Sequence, residues 1–492
     1  MPENPTPYPA FTKADHPDVY GRIKNLVVLM LENRSFDHVL GSLSLPTGSG
    51  PVDGLNKDLF NLDSSYTLHR VAPIAGTSRA DSFDPDPPHD PESVAEQIGW
   101  PYSAIIPPKN MGGFIRAYER RYEESQGARP KNAHEVIAYQ DATTMKKTYE
   151  LAANFTVCDY WYAAAPTDTI PNRLYSVAGT AFGAPDTHKA LKLRNDPCVF
   201  DYLDHDWVVY SGGLALAMLF NRTRSLTCDA TCPARGDHFR SLDDLLEDAH
   251  AGELRRVSWV EPIYTWEKWF PSNWFKGPND DHPPSKVQKG QRLLASIYAA
   301  LATGKSWDSS AFVFTYDEHG GFYDHVLPPR LPMGAGDDGH KTYGLRVPTL
   351  VVSPFAKAET SHDRFDHCSV LKFIAEWVGT PEIKAWAASV PRIASDHIQN
   401  IATLLTGSPR APIFPSEESV ELLASPSEIV DREATETHSG VGNVMAVLEY
   451  QLSEAQPDFA PLQKLAVGGV DRTKTANESV VGSGAYIPPW ER

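Results

Sequence analysis

Two places in this chain set hard-oxygen side chains side by side at the end of an apolar run. Ala311 to Phe314 leads into Asp317-Glu318-His319-Gly320-Gly321-Phe322-Tyr323-Asp324-His325, and Leu26 to Leu31 leads into Glu32-Asn33-Arg34-Ser35-Phe36-Asp37-His38. Adjacent carboxylates repel, so a fold that holds them at the mouth of a buried strand either places a cation there or raises a pKa. Gly320 and Gly321 then let the backbone turn or approach a ligand closely. Glu32, Asn33, Asp317 and Glu318 together make an all-oxygen set, which suits calcium first, then magnesium or manganese, and suits thiophilic metals poorly. Read alone, each pair has a plainer explanation: Asp317-Glu318 as a solvated acidic turn, and Asn33 or Ser35 as a helix cap.

A third stretch, Ala165-Pro166-Thr167-Asp168-Thr169-Ile170-Pro171-Asn172-Arg173, comes after the apolar run Phe155 to Cys158. Pro171 fits the first turn of a helix, and a hydroxyl held at a helix start lies where free amides and the helix dipole favour phosphate. An ordinary threonine cap is the commoner use of such a residue.

The elements needed to hold these groups can be read from periodicity. Short apolar runs at Leu26–Leu31, Phe155–Cys158, Val257–Val260, Ala311–Thr315 and Thr349–Val352 read as strands, alternating with helical stretches at Val287–Leu301 and Ser369–Trp377. That alternation predicts an α/β fold with a mostly parallel central sheet and helices on both faces. In such sheets ligands bind beyond the carboxyl ends of strands, so Glu32/Asn33 and Asp317/Glu318 are expected to converge. The organisation expected is an N-terminal arm at 1–20, a catalytic domain at 21–407 with a rim insertion at 181–253, and a C-terminal part at 408–492. That last part holds a helix at Val444–Ser453 and an extended tail.

Composition narrows the class. The 492 residues are 41% hydrophobic, enough for a large core, and carry a net charge of −18, which disfavours docking on nucleic acid or anionic membrane. No window is apolar for long enough to span a membrane. The proline-rich, polar stretch Met1 to Tyr20 does not read as a signal peptide, so a cytoplasmic location is expected. Five cysteines give no disulfide framework; Cys228 and Cys232 lack the second pair a zinc site needs and read as loop thiols.

Glu32-Asn33-Arg34-Ser35-Phe36-Asp37-His38, Thr169-Ile170-Pro171-Asn172-Arg173, Asp280-Asp281-His282-Pro283-Pro284 and Tyr316 to His325 occur in the order of a known family. Over roughly Ile23 to Gly379 the chain resembles the phosphoesterase family of bacterial phosphatidylcholine phospholipases C. Plant non-specific phospholipases C and a bacterial acid phosphatase belong to the same family, and its fold resembles that of alkaline phosphatases and sulfatases. The resemblance implies that Glu32, Asn33, Asp317 and Glu318 bind one metal ion and that Thr169 is the nucleophile and a further ligand, with Thr167 the alternative. His89 and His282 match histidines at the phosphate, with His282 first and His89 second as proton donor to the leaving alcohol and activator of water. Arg173, His319 and His325 are candidates for supporting or substrate contacts, and Asp366-His367 reads either as part of the site or as the cap of the next helix. Met111-Gly112-Gly113-Phe114 matches a family segment in which Gly112 replaces an aspartate.

The reaction implied is metal-dependent hydrolysis of a phosphodiester through a phosphothreonine, on a phospholipid or small phosphoester, with an acid phosphatase as the alternative. A non-catalytic protein keeping the metal as a staple fits less well with retention of Thr169, and no cysteine sits in the context a sulfatase needs. Trp259, Trp266, Trp269, Phe270, Trp274 and Phe275 crowd the stretch before His282; such aromatics form an acyl-chain rim, a choline cage or, more commonly, core.

Overall fold

A computed structural model describes residues 7–413 except 47, 49, 75–82, 84, 100–110, 214, 226–237, 265–274, 276 and 333–338. Outside the described residues lie the helix expected at Val444–Ser453, the C-terminal tail, Cys228, Cys232, Trp266, Trp269, Phe270 and Trp274.

The apolar runs form the middle of one sheet. Its strands are β1 (Asn25–Leu31), β2 (Thr156–Cys158), β3 (Trp207–Ser211), β4 (Phe239–Arg240), β5 (Val257–Glu261), β6 (Ser310–Tyr316), β7 (Leu350–Val352) and β8 (Thr360–Ser361). They lie in the order β8-β2-β7-β6-β1-β5-β3-β4. All pairings are parallel except those of β7, which runs antiparallel to both of its neighbours. β6 is buried at every position and β1 at all but Asn25, the uninterrupted burial expected of parallel strands covered on both faces.

Helices pack around the sheet: α1 (Pro91–Ile98), α2 (Phe114–Gln126), α3 (Thr169–Ala178), α4 (Leu242–Ala251), α5 (Val287–Thr303) and α6 (Cys368–Val378). α4 packs on α5, and α3 on α6. The expectation of a rim insertion at 181–253 is corrected: β3 and β4 lie within it and extend the central sheet beyond β5. Its one strand-like run, Trp207-Val208-Val209-Tyr210, is four residues long, preceded by Asp204-His205-Asp206 and followed by Ser211-Gly212-Gly213, so the local pattern understates its burial.

A second, smaller apolar core holds Leu55, Phe83, Val94, Ile98, Met111, Phe114, Phe322 and Tyr323, with Leu59 and Val71 packed on it. It carries the loops that cover the carboxyl ends of β1 and β6. Trp259 and Phe275, the two described residues of the aromatic stretch before His282, are buried in the main core, the commoner use of such side chains.

Candidate active site

β1 and β6 are neighbours with Leu31 opposite Tyr316, so the residues next in each chain segment emerge side by side. Asn33 N–H donates to Asp317 Oδ1 at 3.1 Å, Asp317 N–H donates to the Leu31 carbonyl at 3.1 Å, and Arg34 N–H donates to the Glu318 carbonyl at 3.0 Å. Asn33 has φ 60°, a left-handed conformation that asparagine tolerates better than most residues. Gly320, at φ 63°, explains the glycine pair: a Cβ there would lie 2.3 Å from the Asn33 carbonyl oxygen. At Gly321 it would lie 2.6 Å from the Pro88 carbonyl oxygen, so the second glycine admits the loop carrying His89.

Arg173 reaches the same point from α3. Its guanidinium lies 2.7 Å from Glu32 Oε1, 3.1 Å from Asp317 Oδ2 and 3.1 Å from Glu261 Oε2. All four groups are buried. Thr169 opens α3 one turn before Arg173, and the i, i+4 spacing puts both on one helix face. Among the described residues the Thr169 hydroxyl makes no hydrogen bond, whereas the Thr167 hydroxyl donates to the Pro185 carbonyl at 2.7 Å. Asn172 holds the turn, donating from Nδ2 to the carbonyls of Thr167 and Asp168 at 3.0 and 3.1 Å.

The donor set fits a hard cation. Both carboxylate oxygens of Glu32, Asn33 Oδ1 and Glu318 Oε1 are buried and accept no hydrogen bond. Burial, aided by Asp317, pushes the Glu32 carboxyl well above its usual range. Burial likewise raises Asp317 to about 6, against the pull of Arg173, and Asp280 to about 8. Oxygens so placed are costly without a positive partner, and one arginine does not direct hydrogen bonds to all of them. Asp317 differs from the other three: its Oδ1 accepts from Asn33 N–H and Glu318 N–H, and its Oδ2 from Arg173.

The histidines divide. His282 is fully buried, its Nδ1 lies 2.5 Å from the Pro283 carbonyl, and its Nε2 has no hydrogen-bond partner. With Nδ1 carrying the proton to that carbonyl, Nε2 presents a lone pair. His89 Nδ1 is similarly held by the Pro87 carbonyl at 2.8 Å, and its Nε2 lies 3.9 Å from Glu318 Oε1 and 3.5 Å from Asn33 Nδ2. Burial lowers His282. It opposes protonation of His89 too, but Glu318 and Asp86 outweigh it and lift that residue to about 9. Asp86, 3.8 Å from His282 Nε2, completes an Asp86-His89-His282 group at the mouth of the site.

His319 lies 3.2 Å from Glu318 Oε2 and 2.8 Å from Gln97 Oε1. His367 is more than a helix cap: Trp161 donates to its Nδ1 at 3.3 Å, so its Nε2 donates to the Asp317 carbonyl at 2.6 Å. His325 is not brought to Asp317 or Glu318. The two left-handed glycines turn the chain away, and His325 pairs with Asp37 at 2.6 Å and Asp53 at 3.2 Å instead.

The Phosphoesterase family, by its sequence model, matches residues 23–381. The chain belongs to this family. Arabidopsis thaliana non-specific phospholipase C6 is 32% identical over 372 residues, covering 71% of this chain and 66% of that protein. Non-specific phospholipase C4 of the same plant is 32% identical over 361 residues, covering 69% and 63%. Phospholipase C B of Mycobacterium tuberculosis H37Rv is 26% identical over 415 residues, covering 74% and 75%. The chain thus spans slightly less than two thirds of the plant relatives' length. Among solved structures, a protein in the alkaline phosphatase superfamily from Vibrio parahaemolyticus is 14% identical with a TM-score of 0.31, over 51% of this chain and 62% of that one. A likeness of that degree carries no argument, and the α/β assignment stands on the sheet itself.

Two acids at the centre are absent from the sequence-based set. Glu261 comes directly after the apolar run Val257–Val260 just as Glu32 does after its own, so the same pattern identifies it. Asp280 is flagged by its motif; its carbonyl accepts Glu32 N–H at 2.7 Å and its Oδ2 has no hydrogen-bond partner.

Proposed function

We propose that this chain is a metal-dependent phosphodiesterase of the phospholipase C type that works through a phosphothreonine at Thr169. The observation that carries the reading is the unbonded Thr169 hydroxyl at the start of α3, one turn from the arginine lodged among Glu32, Asp317 and Glu261. Glu32, Asn33 and Glu318 supply buried oxygens that accept no hydrogen bond and would hold a divalent ion, calcium first, with Asp317 and Thr169 beside them. Such an ion lowers the pKa of a bound hydroxyl and offsets charge on phosphate oxygens.

Thr169 gives up its hydroxyl proton as Oγ attacks phosphorus in line, the bond to the glycerol oxygen breaks, and the departing alcohol takes up a proton. Water then attacks the phosphothreonine, gives up a proton, and releases the phosphorylated head group with threonine restored. His282 and His89 serve these proton transfers at their Nε2 atoms, each oriented by a backbone carbonyl on Nδ1. The plant and mycobacterial relatives, named as phospholipases C, support a diester over a monoester.

The test compares wild type with Thr169→Ala on p-nitrophenylphosphorylcholine, p-nitrophenyl phosphate and phosphatidylcholine, with EDTA and after adding back calcium or manganese. Diester turnover that EDTA abolishes and that falls on the order of a thousandfold in Thr169→Ala is expected. Full activity in Thr169→Ala removes the nucleophile, and cleavage of the monoester alone makes the protein a phosphatase.

A further inference from the structure

The hairpin Phe60–Leu62/Leu68–Arg70 is built inside out. Its register sets Phe60 opposite Arg70, Asn61 opposite His69 and Leu62 opposite Leu68, so one face carries Phe60, Leu62, Leu68 and Arg70 and the other Asn61 and His69. A half-solvated hairpin ordinarily turns its apolar face to the body. Here Asn61 is the buried residue, donating to the Met111 carbonyl at 3.0 Å and accepting Phe114 N–H at 3.1 Å. On the same face His69 pairs with Asp63 at 3.0 Å and stacks on His134. Phe60 is 46% exposed, Leu68 48% and Tyr66, in the connecting turn, 77%. Among the described residues they are three of the four exposed large hydrophobic side chains, the fourth being Leu327.

We propose that this hairpin docks the protein on a zwitterionic phospholipid surface, its outer face entering the interface between head groups and acyl chains. The proposal rests on the phospholipid reading of the active site. Charge selects the partner: Lys57 and Arg70 stand against Asp58, Asp63 and Glu119, which accepts Ser64 N–H at 2.8 Å, so the patch has no positive excess on a chain of net charge −18, which anionic lipid would repel. Tyr66, an aromatic ring with one polar end, suits the head-group level, and Phe60 and Leu68 the apolar layer beneath it. A second copy of the chain fits poorly, because three side chains cannot approach the ~800 Å² per partner of a stable protein interface. Position agrees: through Asn61 the hairpin is tied to Phe114, whose ring meets His319 edge-on at 6.3 Å, and Gln97 bonds both His319 and the Pro88 carbonyl beside His89.

Binding is measured by co-sedimentation of the full chain with sucrose-loaded phosphatidylcholine vesicles, in a Thr169→Ala background so that no lipid is consumed. Phe60→Ser/Tyr66→Ser/Leu68→Ser is expected to weaken partitioning roughly tenfold or more, while Phe60→Leu/Leu68→Met, which keeps the face apolar, retains it. In the wild-type background the triple serine variant keeps its turnover of soluble p-nitrophenylphosphorylcholine and its melting temperature, which separates lost docking from lost folding. Equal vesicle binding by all variants, no binding by any, or a wild-type dimer that the triple variant converts to monomer in light scattering overturns the proposal. Absence of soluble diester turnover in wild type strikes the phosphodiesterase reading alone, since the sedimentation arm still reads docking.

Discussion

Thr169 and Thr167 stand two residues apart in one motif, and the sequence leaves both open as nucleophile. Their hydroxyls separate them: Thr167 spends its proton on Pro185, while Thr169 has none of these obligations. Thr167→Val is therefore expected to keep diester turnover within about threefold and to cost about 1 kcal/mol of stability in urea unfolding, in contrast to the collapse expected for Thr169→Ala. Gly320 makes a second residue-level case. Alanine there adds a methyl 2.3 Å from the Asn33 carbonyl oxygen at a φ of 63°, so the Glu32-Asn33 end must shift away from Glu318. Gly320→Ala is expected to lose about 1–3 kcal/mol of stability and to weaken calcium binding at least tenfold by isothermal titration; unchanged affinity would refute the close approach of the two loops. Composition and adjacency made Glu32, Asn33 and Glu318 legible, because acids after a buried run are costly. Asp317's spent oxygens were not legible, because hydrogen bonding to Arg173 and to two backbone amides depends on distances that only the fold creates.

At the level of elements, the loops after β1 and β6 are locked together by a buried ion cluster. Arg346 reaches Asp324 and Asp37, each at 3.0 Å, and donates to the carbonyls of Asp53 and Asp159 at 2.6 and 3.0 Å. Asp37 also accepts His325 N–H at 2.8 Å. Asp37, Asp324 and His325 thus fasten one loop to the other, whereas His38 turns to the Ala138 carbonyl. Arg346→Met would leave buried Asp324 without its cation and Asp37 with His325 alone, and a loss of about 3–5 kcal/mol in urea unfolding is expected, partly recovered by adding Asp324→Asn. His325 also gives stability a pH signature. Burial opposes its protonation, but Asp37 and Asp53 outweigh it and raise its pKa from 6.5 to about 10. A raised histidine stabilises the fold fully below its unfolded pKa near 6.5 and ceases to do so as pH climbs through about 10. Melting temperature should therefore fall between pH 6.5 and 10 more steeply in wild type than in His325→Gln.

For the whole molecule, the buried oxygens of Glu32, Asn33 and Glu318 that accept no hydrogen bond tie stability to the ion they would hold. Removing it with EDTA is expected to lower the melting temperature by several degrees, reversed by calcium in excess, since a ligand bound only by the folded state adds its binding energy to folding; a melting curve indifferent to both would remove the cation from the site. The sheet was largely legible because β1 and β6 carry the apolar runs Leu26–Leu31 and Ala311–Phe314 and β5 is broken only by Ser258, whereas β3 is a four-residue run set directly after Asp204-His205-Asp206 and β4 is only two residues long. The antiparallel strand β7 has a further consequence. Because it runs against its neighbours, its amino-terminal end shares an edge with the carboxyl ends of β2 and β6, as Cys158 N–H to the Thr349 carbonyl and Val347 N–H to the Trp161 carbonyl attest. Arg346 therefore arrives at the catalytic edge from upstream of its strand. Side chains that come after an apolar run announce themselves in the sequence, but one that precedes a reversed strand does not. The residue hidden in this way is a cation that, through Asp37 and Asp324, joins the loops that begin at Glu32 and Asp317.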